Sequence, residues 1–521
     1  MLCFFVSSNA QSKIDVLSYS FAIELNDNND VVKGLAGIKF IAKENVTTFS
    51  IDLTMPNKDR KGMIVSNTEF NAPNSSKLAF KQESDKLIID FQHSIKKGDT
   101  TNILIAYEGI PSDGLIISKN KYGHRTFFAD NWPNRGHNWV PCVDDPADKA
   151  SVEFIVTAPQ HYQVVANGIL VEETNLTNDK KLTHWKEDVP VATKVMVIGV
   201  ADFAVNLAGM IDNCIPVYSW VYPEDRDKGF YDYAQALEIL PFFIKNVGPY
   251  GYKKLANVQS KTTFGGLENA NTIFYHENSI DGTRKSETLL SHEIAHQWFG
   301  NMATEKSFAH LWLSEGFATY LTVLYMENKH GADTARKMLE EDRLQVIDFA
   351  KTSDRSIVDE TKDYMELLNV NSYQKAGWVL HMLRRQLGDS IFWKSVRSYY
   401  AAYAGKNADT KDLQIIFEKV SGKNLSAFFQ QWLYTPGIPK LDISWNYLPN
   451  EKKVSLTIKQ LQKAPFSFPL EVQLKNNTEI KTVNISKQEE TFVIPVKEKP
   501  AKLILDPNAS LLFIGSTMEK K

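Results

Sequence analysis

The hydrophobic pattern changes its period twice along the chain, and this change limits the possible folds more than any other feature. Over residues 17–204 apolar and polar residues alternate, as at Phe21 and Ile23. An alternation of two is typical of antiparallel strands with one buried face. Over residues 223–437 apolar residues recur at spacings of three and four, which favours amphipathic helices. The alternation returns from Leu441 onward and indicates a second group of strands.

A chain of 521 residues is too long for a single hydrophobic core, so we predict several domains. The predicted fold class is multidomain α+β. An antiparallel β domain is expected over residues 11–221, a mainly helical domain over 222–437 and a β-sandwich over 438–521. Within the helical domain the spacing predicts helices over residues 231–247, 287–299, 311–328 and 376–386.

Charged residues of the two signs nearly cancel, because 59 Lys and Arg stand against 62 Asp and Glu. Nucleic-acid-binding proteins usually carry a basic excess, so we expect small substrates and no nucleic-acid partner. We also expect no transmembrane segment. The most apolar candidate, residues 195–211, is interrupted by Asp202 and Asn206. The composition leaves the oligomeric state open.

Cysteine is rare in this chain, with Cys3, Cys142 and Cys214 as its members. Three cysteines do not form a disulfide framework, and none of them stands in a Cys-x-x-Cys pair. We expect a buried free thiol at each position, although the spacing leaves a pairing of Cys142 with Cys214 open.

The N-terminus has part of the pattern of a signal peptide. Residues 2–6 form a short apolar core, and small residues up to Ala10 follow it. We therefore predict a signal-peptide remnant over residues 1–10 and a mature chain that begins at Gln11. Such a protein would be exported to the periplasm or the extracellular space. The alternative is an ordinary apolar N-terminus.

The central zone contains the motif His292-Glu293-Ile294-Ala295-His296. Residues four apart lie on one face of a helix, so both imidazoles can reach one metal ion. Zinc binds neutral imidazole, and catalytic zinc sites keep one position open for water. Glu293 would lie where a carboxylate can take a proton from that water. The motif therefore predicts a catalytic site with one Zn²⁺ per chain.

A third metal ligand is available at Glu315, which follows His296 by 19 residues in a second helical stretch. Two histidines and a glutamate form a ligand set of the thermolysin kind. The alternative is a solvated helix carboxylate. The apolar neighbours Leu313 and Phe317 argue against this alternative, because they indicate a buried setting.

A glycine-rich segment, Gly265-Gly266-Leu267-Glu268-Asn269, precedes the metal motif. Glycine allows the backbone to approach a ligand closely, and the adjacent carboxylate could hold an ammonium group. On these five residues alone, an ordinary turn beside a glutamate explains the pattern equally well.

Taken together, these segments resemble the aminopeptidase N family of zinc metallopeptidases, a group of gluzincins that also contains leukotriene hydrolase. Order and spacing agree, and Leu267 replaces the methionine of the family's Gly-x-Met-Glu-Asn motif. The matching segments are residues 141–146 with Lys149, 265–269, 292–301 and 312–316.

The resemblance implies a thermolysin-like catalytic domain and a zinc-dependent aminopeptidase that hydrolyses the N-terminal bond of peptides with metal-activated water. It implies that Glu268 binds the α-ammonium group of the substrate and that the strand edge at the two glycines aligns the peptide. Tyr373 would donate to the tetrahedral oxyanion. The implied set is catalytic Glu293 and Tyr373, substrate-binding Gly265, Gly266, Glu268 and Asn269, and metal-binding His292, His296 and Glu315.

Two departures from the family pattern affect these expectations. Relatives hold the substrate amine with a second Gln or Glu, whereas the best register places Asn131 or Trp132 there. In addition, many relatives continue into a large helical domain after the C-terminal β zone. We therefore expect a more open cleft or one that a partner covers.

Three other functions agree less well with these residues than an aminopeptidase does. A thermolysin-like endopeptidase has no use for the charge of Glu268 in mid-chain. An epoxide hydrolase like the leukotriene relative is disfavoured without the helical domain that helps to form its lipid pocket. A non-catalytic binding protein would be expected to lose a ligand or the base, and this chain keeps all four of these residues.

Overall fold

The computed structural model describes residues 13–71, 76–475 and 479–520. The predicted signal-peptide remnant and the thiol of Cys3 lie outside these residues, so both stay predictions. Cys142 is a buried free thiol, as expected, whereas the expectation of a buried thiol is wrong for Cys214, which is free but exposed. The chain divides into two units, and the N-terminal part belongs to the first. The first unit contains the residues up to Ile244, Pro249–Thr304 and Ala404–Asn407; the second contains Lys245–Gly248, Glu305–Tyr403 and the residues from Ala408 onward.

The N-terminal region of the first unit consists mainly of strands, as the alternating pattern predicts. Along the first strand, Phe21 and Ile23 are buried while their neighbours are partly exposed. The strands are β1 Ile14–Glu24, β2 Val32–Ala42, β3 Val46–Asp52, β4 Gly62–Phe70, β5 Ala79–Glu83, β6 Lys86–Ile95, β7 Thr100–Ile110, β8 Leu115–Lys119, β9 Arg125–Ala129, β10 Lys149–Pro159, β11 Gln163–Ala166, β12 Ile169–Asn175, β13 Lys180–Ala192 and β14 Ile198–Ala201.

These strands form three sheets, with the orders β12-β13-β10-β1-β2-β7-β4, β3-β6-β5 and β11-β14-β9-β8. In the first sheet β1 pairs in parallel with β10 and antiparallel with β2. The inner faces meet in an aromatic core in which the ring of Phe40 stacks on that of Phe49 at 4.8 Å between centroids. The prediction of an N-terminal antiparallel β domain is therefore confirmed, apart from the parallel pair.

A further sheet in the first unit has the order β15-β16-β17-β19-β18. Its strands are β15 Ala204–Ile211, β16 Ile215–Val221, β17 Leu255–Ser260, β18 Gly266–Leu267 and β19 Thr272–His276. Strand β17 pairs in parallel with both β16 and β19, and all of its residues are buried. Strand β18 stands at one end of the order. The sheet contains strands from both sides of residue 222, and the domain boundary predicted there stays a prediction.

Three helices follow or connect these strands: α1 Arg226–Tyr233, α2 Ala236–Asn246 and α3 Glu287–Ala295. The sequence predicts one helix over residues 231–247, and the structure divides this segment into α1 and α2. The cause is local. The main-chain carbonyl of Asp232 accepts hydrogen bonds from the main chain and the side chain of Gln235, at 3.3 and 3.0 Å. In a continuous helix that carbonyl would bond to residue 236.

The second unit contains most of the remaining helices, and the predicted helices over residues 311–328 and 376–386 are both confirmed. The helices are α4 Trp312–His330, α5 Ala332–Phe349, α6 Ala376–Leu387, α7 Asp389–Tyr403, α8 Thr410–Ser421 and α9 Ser426–Leu433. A π-helical turn, Asn371–Lys375, runs directly into α6. Short 3₁₀ turns lie at Gly136–Asn138, Thr193–Val195, Pro223–Asp225, Phe308–His310 and Tyr364–Leu367.

The C-terminal part returns to strands, as the alternation from Leu441 predicts. Two short strands, β20 Ala303–Glu305 and β21 Lys406–Ala408, come before this part of the chain. The strands of the C-terminal part are β22 Lys440–Leu448, β23 Lys453–Gln460, β24 Phe468–Leu474, β25 Ile480–Ile485, β26 Glu489–Pro495, β27 Leu503–Leu505 and β28 Ile514–Glu519. From β22 onward they form two sheets, β26-β23-β22-β28 and β25-β24-β27. The predicted α+β class, with β regions on both sides of a mainly helical region, is confirmed.

Two polar contacts join the C-terminal strand region to the helices of the second unit. The Arg343 guanidinium on α5 donates to Oδ2 of Asp506 at 2.5 Å and lies over the ring of Trp378. On α6, Nε2 of His381 donates to the carbonyl of Ala509 at 2.9 Å. Among the described residues, no helix is long and apolar enough to cross a membrane.

Candidate active site

Helix α3 carries the metal motif, and a buried carboxylate fixes the loop that leads into it. The side chain of Asp232 is 1% exposed. It accepts hydrogen bonds from the main-chain nitrogens of Asp281, Gly282 and Arg284, at 2.9, 2.8 and 2.9 Å. A carboxylate with three amide donors is held firmly. The start of α3 therefore has a defined position relative to α1.

The two histidines of the motif meet on one face of α3, as the spacing predicts. Their Nε2 atoms lie 3.0 Å apart. The Nδ1 atom of His296 lies 3.1 Å from the carbonyl oxygen of Phe299. A carbonyl oxygen can only accept, so Nδ1 carries the proton and Nε2 of His296 presents a lone pair. Metal-binding histidines typically donate such a hydrogen bond from the ring nitrogen that does not bind the metal.

Glu315 completes the predicted ligand group. It lies on α4 and is 4% exposed. One ligand atom from each of His292, His296 and Glu315 lies within 4.8 Å of the other two. Two imidazoles and one carboxylate are a donor set that suits zinc and leaves a position for water. These residues therefore fit the metal that the sequence predicts.

Glu293, the predicted base, lies between the two histidines along α3 and is 5% exposed. Its side chain packs against the main chain of Gly266. A Cβ atom built on Gly266 would lie 2.5 Å from the carboxyl carbon of Glu293 and 2.6 Å from its Cγ. At Gly265 the nearest atom to such a Cβ is Cδ1 of Leu289, at 3.9 Å. A side chain at position 266 would therefore displace the carboxylate of Glu293 from its present position.

The glycine segment forms the end strand of its sheet. Gly266 pairs with Tyr275 and Leu267 with Phe274 in the antiparallel pair β18–β19. The carbonyl of Gly265 also accepts from the main-chain nitrogen of His276, at 3.0 Å. The other edge of an end strand is suited to main-chain pairing with an extended peptide. The substrate role predicted for Gly265 and Gly266 agrees with this placement and stays a prediction.

The main chain at Glu268 is held by two side chains from the loop after α3. The carbonyl oxygen of Glu268 accepts from Nε2 of Gln297 at 3.1 Å and from Nδ2 of Asn301 at 2.6 Å. The Glu268 side chain is 5% exposed. The sequence alone assigns no role to Gln297 or Asn301. Their presence in the matched segment 292–301 was the signal that could have found them.

Asn269 has no exposed surface and belongs to the turn between β18 and β19. Its main-chain nitrogen donates to the carbonyl of Leu267 at 2.9 Å, and its carbonyl accepts from Thr272 at 3.2 Å. These contacts give Asn269 a part in shaping the loop. The predicted contact with substrate stays a prediction.

Asn131 or Trp132 stands in the register where relatives hold the substrate amine with a second Gln or Glu. The Asn131 amide donates to the carbonyls of Thr193 and Met196, at 3.1 and 2.7 Å, so both of its hydrogens are used inside the β region. Trp132 is 3% exposed. Neither placement favours an amine anchor.

The residue before them, Asp130, faces the segment that leads to Gly265. Its Oδ2 accepts from Oγ1 of Thr262 at 3.1 Å and from the main-chain nitrogen of Thr263 at 3.3 Å. Its Oδ1 pairs with the Arg135 guanidinium. Burial raises the pKa of Asp130, and the positive charge of Arg135 opposes that rise. Asp130 therefore supports the glycine segment from its N-terminal side.

Lys149, which the family resemblance groups with residues 141–146, contacts the loop after α3. Its ammonium group donates to the carbonyls of Asn301 and Met302, at 3.0 and 2.7 Å. These carbonyls belong to the loop after α3, so Lys149 on β10 fixes the loop that supplies Asn301.

Tyr373, the predicted oxyanion donor, lies in the π-helical turn before α6 and is partly exposed. Its main-chain nitrogen donates to the carbonyl of Asn369 at 3.4 Å. Single π-helical turns occur frequently at functional sites. The role of Tyr373 stays a prediction.

Comparison with known proteins agrees with the geometry. Residues 16–195 match the Peptidase M1 N-terminal domain, and residues 231–432 match the Peptidase family M1 domain. The chain belongs to peptidase family M1. This family includes aminopeptidase N, so the resemblance that the sequence motifs indicate is confirmed.

Several M1 relatives are similar over most of this chain. Aminopeptidase M1 of Arabidopsis thaliana is 25% identical over 71% of this chain and 45% of its own length. Leucyl aminopeptidase of Saccharolobus solfataricus is 22% identical over 82% and 56%, and aminopeptidase N of Rattus norvegicus 24% over 80% and 47%. The chain thus spans about half the length of the M1 relatives that it matches.

Proposed function

We propose that this chain is a zinc-dependent aminopeptidase that hydrolyses the N-terminal bond of peptides. The observation that carries the proposal is the direct linkage of two parts of the site. Gln297, which follows the metal motif, bonds to the main chain of Glu268 at 3.1 Å. The residue proposed to bind the substrate amine is therefore tied to the segment that directly follows the histidine ligands and the proposed base.

His292, His296 and Glu315 would hold the metal in this proposal. A bound zinc ion lowers the pKa of a water ligand and polarises the carbonyl that the water attacks. The carboxylate of Glu293 takes a proton from the attacking water and passes it to the leaving amine. Tyr373 donates its phenol hydrogen to the charge that develops on the carbonyl oxygen.

Peptide binding in this proposal uses the strand edge and a charge. The backbone of the substrate pairs with the outer edge of β18, which places its first carbonyl near the carboxylate that packs on Gly266. The Glu268 carboxylate pairs with the α-ammonium group, and such a charge-assisted hydrogen bond is stronger than a neutral one. A free N-terminus is therefore required for tight binding.

The proposal is tested with a panel of aminoacyl chromogenic substrates, each assayed as the free amine and as the N-acetyl derivative. We expect cleavage of several free-amine substrates, poor cleavage of their acetylated forms, loss of activity with a chelator and recovery with Zn²⁺. Equal cleavage of blocked and free substrates would indicate an endopeptidase instead. Activity that survives chelation, in protein shown to be free of metal, would remove the zinc mechanism.

A further inference from the structure

A buried network of charged and polar side chains adjoins the loop that carries Glu268. At its centre the ammonium group of Lys254, a residue that is 2% exposed, meets several oxygens. It donates to the carbonyls of Ala166 and Gly168, at 2.7 and 2.6 Å. It also lies 2.8 Å from Oδ1 of Asn271 and 3.0 Å from Oγ1 of Thr272. The ammonium hydrogens are thus fully used inside the protein.

The amide of Asn271 stands between this cation and a buried carboxylate. Its Nδ2 donates to Oε2 of Glu187 at 2.6 Å, while its Oδ1 accepts from Lys254 and from the main-chain nitrogen of Gly168 at 2.8 Å. An ammonium group on the oxygen and a carboxylate on the nitrogen allow one orientation of the amide only. Asn271 is therefore locked at both ends of its side chain.

The main chain of Asn271 connects this side-chain network to the Glu268 loop and to the segment after α3. Asn271 has a φ of 52°, in the left-handed region that asparagine tolerates better than most residues. Its nitrogen donates to Oε1 of Gln297 at 2.8 Å, and Nε2 of the same side chain donates to the carbonyl of Glu268. One glutamine thus connects Asn271 with Glu268.

Stability alone gives little reason to bury Lys254 and Glu187. Burial lowers the pKa of Lys254 and raises the pKa of Glu187, and the opposite charges counteract both changes. Removal of two charges from water costs about as much as their attraction returns, so an apolar replacement is often equally stable. Unlike an apolar core, this network fixes the direction of each hydrogen bond and so the orientation of the groups that take part.

We propose that Lys254 and Asn271 are positioning residues for the substrate-amine site: they fix the main chain from Glu268 to Asn271 and so hold the Glu268 carboxylate where the α-ammonium group binds. This inference rests on the proposed aminopeptidase function. Neither residue touches the substrate in it. Both act through Gln297 and the turn before β19.

The decisive variant is Asn271→Gly, because glycine adopts a positive φ without strain and removes only the side-chain links. We expect its KM for free-amine aminoacyl substrates to rise about 10-fold or more while kcat changes less, because uniform binding is lost. Its preference for free-amine over N-acetyl substrates should fall by the same factor. Lys254→Met should act in the same direction, with its zinc content unchanged.

Arg343→Met is the matched control, because Arg343 is a cation that pairs with the buried carboxylate of Asp506 and lies over a tryptophan ring, as the Lys254 ammonium group lies over Trp185. This control should lower thermal stability and keep the preference for a free amine. A reduced Tm together with an unchanged KM and preference in Asn271→Gly would overturn the proposal.

Hydrogen exchange separates this inference from the proposed function. In Asn271→Gly the amides of residues 267–272 should exchange at least about 10-fold faster than in wild type, whereas α3 should keep its protection. Unchanged exchange in this segment overturns the positioning role. Absence of peptidase activity in zinc-loaded wild-type protein would overturn the proposed function instead, and the exchange result would still decide whether the network orders the loop.

Discussion

The carboxylate of Glu293 lies against the main chain of Gly266, in the space that a Cβ atom would occupy. The base of the proposed reaction is therefore packed on the strand that is proposed to align the substrate. Because Glu293 is 5% exposed, it has little room to turn away from an added methyl group. The pair of adjacent glycines is a weak signal in the sequence, and the structure gives one of them, Gly266, a steric reason.

Gly266→Ala should displace the Glu293 carboxylate and lower kcat by about 100-fold or more, because a misplacement of about 1 Å can cost that much. The matched control is Gly265→Ala, whose new Cβ would meet only Leu289 at 3.9 Å. Its loss should be several-fold smaller. Steady-state kinetics and zinc analysis on both variants provide the check. Equal losses would show that the glycines matter for backbone freedom and not for the space beside Glu293.

Glu293→Gln should retain zinc and lose activity by about 10²–10⁴-fold, because the amide is close in size but accepts no proton at neutral pH. Metal content and peptidase rate are measured on the same sample. Glu287→Gln, at the first turn of the same helix, controls for loss of helix charge. Near-normal turnover in zinc-loaded Glu293→Gln would remove Glu293 as the base.

Glu268→Ala should lower kcat/KM for free-amine peptides by roughly 10- to 150-fold, since a charge-assisted hydrogen bond contributes about 1.5–3 kcal/mol. The loop should keep its shape, because Gln297 and Asn301 bond to the main-chain carbonyl of Glu268 and not to its side chain. Cleavage of N-acetylated peptides should change little. Equal losses on free and acetylated peptides would mean that Glu268 has a structural role only.

Much of this architecture follows from periodicity in the sequence. The alternation at Phe21 and Ile23 identifies a strand with one buried face, and the spacing of His292 and His296 identifies one helix face. Strand β17 was harder to predict, because Leu255–Ser260 is buried on both faces between parallel neighbours and therefore does not alternate. The break between α1 and α2 depends on a hydrogen bond of Gln235 that periodicity does not report.

Within the candidate site, the group that could bind metal and the proposed base could be identified from the sequence, because their chemistry restricts residue type and spacing. The residues that support the site through hydrogen bonds could not be identified in this way. Asn271 and Gln297 are ordinary amides in the sequence, and their roles depend on partners such as Glu187 that lie far away along the chain. The family register also singles out Asn131, although its amide bonds inside the β region. The neighbouring Asp130, which supports the glycine segment, has no such signal in the sequence.

Acid should weaken the second unit through His381, which is 6% exposed and lies between Tyr320 and Ala509. Nε2 donates to the carbonyl of Ala509, so Nδ1 accepts from the Tyr320 hydroxyl and the neutral ring is fully satisfied. Burial lowers the pKa of His381 from 6.5 to about 4. Between those values the unfolded chain binds a proton that the folded chain does not, so stability falls as the pH decreases.

We expect the free energy of unfolding to decrease by about 3 kcal/mol, because of His381, as the pH falls from 6.5 to about 4. Denaturant unfolding of wild type and His381→Gln across this range measures it, because glutamine keeps a donor for Ala509 and does not titrate. The difference between the two profiles should appear only below pH 6.5. Parallel profiles over the whole range would show that His381 does not carry this dependence.

The hydrogen bonds of Gln297 and Asn301 to the carbonyl of Glu268 have a consequence for protein engineering. The segment proposed to bind the substrate amine and the helix that carries the proposed base are therefore connected by hydrogen bonds, although they are separate in sequence. A graft of residues 265–269 into another hydrolase scaffold would leave its carbonyls without their amide donors. We therefore expect a recipient scaffold to acquire a preference for free N-termini only if residues 265–271 and 287–301 are transferred together.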